Sequence, residues 1–170
     1  FDVTAETIRR DLAVLDAEGV VHRVHGGAVA SQNFQTNELT VDARFRSASH
    51  AKHAIAKAAL EFLPSAQGGI FLDAGTTISA LGDLIAEHAV SKHWSIVTNC
   101  LPTALNLANA GLGQVQLLGG NVRAITQAVV GDTALRSLAL MRADVAFIGT
   151  NALTLDHGLS TADSQEAAVK

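Results

Sequence analysis

Small and polar residues collect in four short segments of this 170-residue chain. These are Asp73-Ala74-Gly75-Thr76-Thr77, Thr98-Asn99, Gly119-Gly120 and Gly149-Thr150-Asn151. Glycine lets a ligand approach the backbone closely, and threonine hydroxyls beside helix N-terminal amides suit an anion such as phosphate. The same residue types also make ordinary turns between strands and helices. A ligand site is expected only if the fold brings the four segments together.

A second set of residues could carry acid–base chemistry if the fold assembles it. Its members are Asp73, Asp144, Glu166 and Lys170. A carboxylate beside a strand often only caps a turn, however, and the last two members are spaced for an ion pair on a helix surface. No Walker A lysine and no G-x-G-x-x-G motif is present, so neither nucleotide hydrolysis nor dinucleotide binding is indicated.

Cofactor and metal chemistry has little support in the sequence. The single cysteine, Cys100, excludes a disulfide framework and a thiolate zinc site within one chain. We therefore expect no cofactor and no metal site.

The elements that must position these residues alternate between helix and strand from His50 onward. Strands are predicted at about 69–72, 94–97, 115–118 and 145–148, and helices at about 51–63, 101–110, 131–140 and 163–170, with another opening after Thr77. Such alternation predicts βαβ units and a parallel sheet, hence an α/β fold. Ligands bind at the carboxyl ends of the strands in sheets of this kind.

The first part of the chain has a different pattern. Thr4 is a good N-cap, and the apolar stripe of Ile8, Leu12 and Leu15 predicts a helix over about 5–18 that ends at Gly19. The β-prone residues 20–25 and the following glycines predict a short hairpin.

This helix and hairpin suit DNA, although they could also be ordinary surface elements. Thr4, Thr7, Arg9 and Arg10 lie largely away from the apolar stripe. A helix that offers Thr and Arg from its N-terminal half to a major groove is the mode of helix-turn-helix proteins. Arg23 and His25 on the hairpin would then lie over phosphates, as in a wing.

Composition and net charge limit the classes of protein to which the chain can belong. Hydrophobic residues make up 48% and charged residues 16%, which argues against disorder, and no apolar run is long enough to span a membrane. We therefore expect a soluble cytoplasmic protein. The net charge of −4 argues against a nucleic-acid binder, although such an average can hide a short DNA-contacting segment. The predicted organisation is a unit at 1–29, a polar linker at 30–49 and a larger domain at 50–170.

The motifs together resemble the DeoR family of bacterial transcriptional regulators. The N-terminal part of the resemblance is Thr7-Ile8-Arg9-Arg10-Asp11-Leu12 followed by Arg23-Val24-His25-Gly26-Gly27-Ala28, which is similar to the winged helix-turn-helix of that family. The remainder is carried by Leu72-Asp73-Ala74-Gly75-Thr76-Thr77, Val97-Thr98-Asn99, Leu118-Gly119-Gly120, Gly131, residues 143–149, residues 158–161 and residues 166–170. The resemblance spans nearly the whole chain.

The resemblance implies a sensor domain similar in fold to ribose-5-phosphate isomerase, which binds a phosphorylated sugar and thereby controls operator binding. It implies effector contacts from Asp73, Gly75, Thr76, Thr77, Thr98, Asn99, Gly119 and Gly120. It also implies that Asp144, Glu166 and Lys170 serve recognition rather than turnover. Operator DNA, a sugar phosphate and further copies of the same chain are the implied partners, with DNA contacts from Thr4, Thr7, Arg9, Arg10, Arg23 and His25.

Two departures from the family pattern bear on function. The family's winged helix has two more helices before the recognition helix, and its sensor continues past Lys170. We therefore expect the chain to be truncated at both ends and to bind DNA poorly as it stands. Two other classes stay open on the sequence: a phosphosugar isomerase-like enzyme using the acid–base set, and an oligomerisation or interaction module.

Overall fold

A computed structural model describes residues 3–18, 20–24, 27–30, 41–88, 93–156 and 158–170. The chain divides into two compact units, Phe1–Glu38 and Leu39–Lys170. Each unit is described by itself below. They are called the N-terminal unit and, after the domain that its sequence resembles, the sensor unit.

The N-terminal unit consists of one helix and one hairpin. Helix α1 (Ala5–Ala17) begins after Thr4, whose hydroxyl accepts a hydrogen bond from the Thr7 backbone N–H at 3.2 Å. Strands β1 (Val21–Val24) and β2 (Gly27–Ala30) pair antiparallel. The predicted helix and hairpin are therefore confirmed. The predicted helix stop, Gly19, lies outside the described residues.

The apolar stripe of α1 is covered only partly. Leu12 and Leu15 are half-buried, whereas Ile8 is 39% exposed. This helix therefore takes less of its stability from burial than the helix at Thr76–His88, which buries Ile78, Leu81 and Ile85, because burial of apolar area is the main favourable contribution to packing.

The sensor unit alternates helices with strands. Its elements are α2 (Val41–Arg46), α3 (Ser49–Ala59), a 3-10 turn (Leu60–Phe62), β3 (Gln67–Leu72), α4 (Thr76–His88), β4 (His93–Thr98), α5 (Leu101–Asn109), β5 (Val115–Leu117), β6 (Asn121–Val122), β7 (Val129–Val130), α6 (Asp132–Ala139), β8 (Val145–Phe147), β9 (Ala152–Thr154), β10 (Gly158–Ser160) and α7 (Ser164–Val169). The predicted strands and helices are all found, with ends shifted by a few residues. Helix α2 and the short strands β6, β7, β9 and β10 were not predicted.

Four of these strands form a parallel sheet in the order β5-β4-β3-β8. The chain runs outward from β3 through β4 to β5, then crosses back to place β8 on the other side of β3. The strand order therefore reverses between β3 and β8. In open parallel sheets a crevice forms outside the carboxyl ends of the two strands at such a point. The α/β class and the parallel sheet are confirmed.

Two hydrophobic layers flank the sheet because side chains alternate along each strand. Ile70 and Leu72 on β3 pack in the layer that also contains Leu81 and Ile85 of α4. Phe71, between them, points into the other layer with residues that include Ala134 of α6 and Val169 of α7. The sheet is covered on both faces, as parallel sheets require.

Part of the predicted linker 30–49 is helical. Helix α2 and the start of α3 lie within it, while residues 31–40 lie outside the described residues. Helix α2 has only six residues, too few to show an apolar period. Within the described ranges, no helix is long and apolar enough to cross a membrane.

Candidate functional site

A cleft of about 440 Å³ opens in the sensor unit where β3 and β8 end. The lining comes from four places: the loop from β3 into α4, the loop after β8, the helices α2 and α3, and the C-terminal helix α7. Its residues are Arg44, Ile55, Ala56, Ala59, Ala74, Gly75, Thr76, Thr77, Ile78, Leu81, Ala146, Phe147, Ile148, Gly149, Thr150, Asn151, Glu166 and Lys170. The cleft thus occupies the reversal point of the strand order.

The N-terminus of α4 forms one wall. This 13-residue helix begins at Thr76, and its first backbone N–H groups have no acceptor within the helix. Gly75 has φ +137, and a Cβ built there meets no atom of the described chain within 4 Å. Free amides, the helix dipole and the hydroxyls of Thr76 and Thr77 therefore suit an anion at this wall.

Asp73 joins the two loops and the C-terminal helix. Its side chain is 1% exposed, and Oδ2 accepts hydrogen bonds from the Gly149 N–H at 2.9 Å and from the Lys170 ammonium. Its Oδ1 is buried with no hydrogen-bond partner in the described part of the chain. A buried carboxylate oxygen without a donor is costly, so this atom is suited to accept a hydrogen bond from a ligand or from water.

Glu166 is held by a second network at the C-terminal side of the cleft. Oε1 accepts hydrogen bonds from Arg123 Nη1 at 2.6 Å and from Thr126 Oγ1 at 2.5 Å. Arg123 Nε also lies 3.4 Å from Asp163 Oδ2. Asp163 in turn caps α7, because its Oδ1 accepts from the N–H groups of Gln165 and Glu166 at 2.9 Å. These contacts fix α7 and hold Glu166 in place at the edge of the cleft.

The structure brings together six of the residues predicted to contact an effector. Gly75, Thr76, Thr77, Glu166 and Lys170 line the cleft, and Asp73 bonds to the last of these. Four others lie at the end of β4 or after β5 and do not line it: Thr98, Asn99, Gly119 and Gly120. Their strands lie on the side of β3 away from β8, so their ends are displaced from the reversal point.

Asp144 lies at the opposite edge of the sheet. It precedes β8, and its Oδ2 accepts a hydrogen bond from the Gly69 N–H at 2.7 Å near the start of β3. Parallel strands place their amino ends at one edge and their carboxyl ends at the other. The expectation that Asp144 would join the strand-end residues is therefore not met, and its contact is one that ties β8 to β3.

Sequence reasoning missed two contributors from outside the predicted site. Arg44 lines the cleft from α2, and Arg123 holds Glu166 from the turn after β6. No short motif surrounds either residue. The loop Gly149-Thr150-Asn151 carried a signal, since it was one of the four small and polar segments, and it does line the cleft.

The predicted DNA-contacting residues are exposed where the structure describes them. Arg9 and Arg10 are exposed on α1, and Arg9 Nη1 lies 3.3 Å from Glu6 Oε2 with both side chains largely in solvent. Thr4 and Thr7 are exposed too, and their hydroxyls lie 2.9 Å apart as part of the helix cap. His25 and the side chain of Arg23 lie outside the described residues.

The described residues were also compared with the ligand sets that metal ions need. No group of three or more His, Cys, Asp and Glu side chains lies close enough there to hold a metal ion. Of the acidic and basic side chains that line the cleft, Lys170 belongs to the network around Asp73 and Glu166 to the network with Arg123.

Two family models match the chain. The DeoR C terminal sensor domain matches residues 47–170, and the DeoR-like helix-turn-helix domain matches residues 1–34. The boundary between them falls in the same region as the division between the two units.

Several curated proteins are similar over most of the chain. The HTH-type transcriptional regulator GlpR of Haloferax volcanii is 38% identical over 166 residues, which is 96% of this chain and 62% of that protein. The lactose phosphotransferase system repressor of Streptococcus mutans is 36% identical over 132 residues, 76% of this chain and 51% of the repressor. A putative aga operon transcriptional repressor of Escherichia coli O157:H7 is 33% identical over 172 residues, 98% of this chain and 61% of that protein.

The chain therefore spans between about half and two thirds of the length of these relatives. A sensor-domain match over most of the chain, together with an adjoining helix-turn-helix match, settles its family. This chain belongs to the DeoR family.

Proposed function

We propose that this chain acts in a transcriptional repressor of sugar uptake or catabolism genes, whose operator binding is controlled by a phosphorylated sugar. One observation carries the proposal: the cleft at the ends of β3 and β8 has a helix N-terminus, two threonines and an open glycine on one wall. The names of the relatives, which include a lactose phosphotransferase system repressor and a putative aga operon repressor, support it.

The two sides of the cleft suit different parts of a sugar phosphate. A phosphate group suits the wall made by Gly75, Thr76 and Thr77, because amides and hydroxyls there donate to an anion. Sugar hydroxyls suit the side of the cleft that Glu166 lines, because a carboxylate accepts hydrogen bonds. A ligand with an anionic end and a hydroxylated body therefore fits both walls.

The test of the effector is a melting-temperature panel on the full-length protein. Ribose 5-phosphate, fructose 6-phosphate and glucose 6-phosphate are compared with the free sugars. At a hundred times its Kd, a ligand adds about 2.7 kcal/mol to the free energy of unfolding. We expect at least one sugar phosphate to raise the melting temperature and the free sugars to leave it unchanged. A flat panel contradicts the proposed effector.

The N-terminal unit supplies the contact with operator DNA in this proposal. Arg9 is exposed on α1 in the half of the helix that would enter a groove. Arg9→Ala should weaken operator binding and reduce the steepness of its salt dependence, since each phosphate contact releases counterions. Fluorescence anisotropy over a salt series measures both. An unchanged affinity and salt slope would remove Arg9 from the interface.

Binding of effector and operator should be reciprocal. A sugar phosphate that weakens DNA binding must itself bind more weakly when DNA is present. The proposal places the protein in the cytoplasm with its operator, and a two-fold operator favours a homo-oligomer.

An isomerase-like enzyme is the second candidate, since Asp73, Glu166 and Lys170 do meet at the cleft. Their contacts favour recognition, because both carboxylates already bond to cationic side chains within the protein. Incubation with pentose and hexose phosphates should give no isomerised product. Turnover that is lost in Glu166→Gln would favour the enzyme instead.

A further inference from the structure

Helix α2 (Val41–Arg46) occupies a particular place in the chain. It is the first element described in the sensor unit, and it follows directly on the division between the units at Glu38 and Leu39. Residues 31–40, which lie outside the described residues, connect β2 of the N-terminal unit to this helix. A displacement of α2 acts on the segment that leads to the N-terminal unit.

One side chain of α2 reaches the cleft. Arg44 is half-buried and lines the cleft together with Thr76 and Thr77 at the N-terminus of α4. Among the residues that the structure describes, no carboxylate forms a salt bridge with it. A guanidinium binds phosphate through two parallel N–H donors, so an anion at the α4 wall attracts Arg44.

The end of α2 is held by a lysine of α3. The Lys52 ammonium donates hydrogen bonds to the carbonyl oxygens of Arg44 and of Ser47, the second at 2.6 Å. Partial burial and the nearby Arg44 guanidinium both lower the pKa of Lys52. The link between α2 and α3 is therefore an ammonium bridging two backbone carbonyls.

The joint between α2 and α3 is strained. Ala48, which precedes α3, has φ +52 and ψ +38, the left-handed region. This conformation is unfavourable for a residue with a Cβ, because the Cβ comes too close to the following carbonyl oxygen. Strain of this kind persists only where surrounding contacts enforce it, and here Lys52 provides such contacts on the α2 side.

The start of α2 is tied to the other network of the cleft. The Val41 N–H donates to the carbonyl of Ile125 at 3.1 Å. Ile125 belongs to the turn in which Arg123 and Thr126 donate to Glu166. A ligand that moves Glu166 therefore acts on this turn, and through it on Val41.

We propose that α2 transmits the occupancy of the cleft to the N-terminal unit, with Arg44 sensing the anion, the 123–127 turn sensing Glu166, and Lys52 making the helix respond as one piece. This inference rests on the proposed function, because it assumes that a sugar phosphate binds in the cleft.

The test is amide hydrogen exchange on the full-length protein. The probe is whichever of ribose 5-phosphate, fructose 6-phosphate and glucose 6-phosphate raises the melting temperature most. In the wild-type protein the probe should change exchange in peptides covering 74–77, in α2 and in the N-terminal unit, by about fivefold or more.

Lys52→Met removes the bridge and keeps the length of the side chain. The probe should still protect 74–77 in this variant, while the change in the N-terminal unit falls below about twofold. Lys57→Met, an exposed lysine on the same helix, is the matched control and should behave as wild type.

Val41→Pro is a second variant that covers the case in which Lys52→Met fails to fold. Proline at the first position of a helix is well tolerated and removes only the N–H that bonds to Ile125. It should also uncouple the N-terminal unit, whereas Val41→Ala, which keeps the N–H, should not.

The outcomes separate the two claims. If no sugar phosphate stabilises the wild-type protein, the proposed function fails and this inference fails with it. If one does, and the N-terminal unit responds as strongly in Lys52→Met and Val41→Pro as in their controls, α2 is not the route and the inference alone is overturned.

Discussion

Two pairs of strand ends in the same sheet have similar sequences, but only one pair lines the cleft. The loops after β3 and β8 carry Gly75-Thr76-Thr77 and Gly149-Thr150-Asn151, and they form the cleft. Thr98-Asn99 at the end of β4 and Gly119-Gly120 after β5 do not line it. All four loops lie at the carboxyl edge of one parallel sheet. Residue type therefore does not separate a loop that lines the cleft from one that does not.

The glycines show the difference at atomic scale. A Cβ at Gly75 would enter open space, whereas a Cβ at Gly120, where φ is +153, would lie 2.6 Å from the carbonyl oxygen of Val130. Gly75 leaves room that a ligand can occupy. Gly120 leaves room that the backbone of β7 already occupies.

The polar side chains differ in the same way. Thr98 is fully buried, and its hydroxyl accepts a hydrogen bond from the Cys100 N–H at 3.0 Å. Thr76 lies at the first position of α4 and lines the cleft. The reversal of strand order between β3 and β8 opens a crevice there. At the end of β4 the Asn99 carbonyl instead accepts a hydrogen bond from the Val129 N–H of β7 at 2.7 Å.

The largest expected loss in the free energy of unfolding comes from substituting Asp73, whose side chain joins the two cleft loops. Asp73→Ala leaves Lys170, whose side chain is only 14% exposed, without its carboxylate. Breaking a buried ion pair from one side costs about 3–5 kcal/mol. Urea unfolding should show a loss of that size.

Asp144→Ala is the matched control for Asp73→Ala at the opposite edge of the sheet. It removes one hydrogen bond to Gly69 from an exposed residue, and about 1 kcal/mol is expected. Equal losses for the two variants would contradict the special position of Asp73.

Gly120→Ala should cause the next largest loss in the free energy of unfolding. Backbone strain and the clash with Val130 together cost roughly 3 kcal/mol of the free energy of unfolding. Gly75→Ala has comparable strain without the clash, so it should cost clearly less while reducing affinity for a sugar phosphate. Thermal unfolding and calorimetric titration measure the two quantities. If Gly75→Ala is less stable than Gly120→Ala, the claim that Gly75 faces open space and Gly120 does not is contradicted.

The smallest expected effects are those of substituting Thr76 and Thr98, and they should differ in kind. Thr76→Ala should weaken binding of a sugar phosphate about tenfold, the loss of one hydrogen bond worth about 1.4 kcal/mol, with little change in stability. Thr98→Val should do the reverse, because the buried Cys100 N–H loses its acceptor at a cost of about 1–3 kcal/mol of stability. If Thr98→Val alone weakens binding, the assignment of the two loops is wrong.

Local patterns predicted most of the fold. The long helices and the four sheet strands have clear apolar patterns, and Thr4 was predicted as the N-cap that it is in the structure. Helix α2 and the strands β6, β7, β9 and β10 are too short to show a period. They are held by tertiary contacts such as Val41 to Ile125, which no local pattern contains.

The site was predicted less completely because it depends on strand order. Alternating helices and strands indicate a parallel sheet but do not say which strands are neighbours. Asp144 was therefore grouped with residues that lie at the other edge, and Arg123 was missed as the partner of Glu166. The net charge of −4 gave no indication of the helix-turn-helix match at residues 1–34, because it averages away Arg9 and Arg10, which are exposed on one helix.

The most direct test of the account is a titration of the ¹⁵N-labelled protein with the most stabilising of the three sugar phosphates, followed by backbone amide shifts. The amides of 75–77 and 149–151 should move together and saturate at one Kd, while those of 98–100 and 119–120 stay near their free positions. Saturating shifts centred on 98–100 and 119–120, with 75–77 unmoved, would contradict the placement of the effector between β3 and β8.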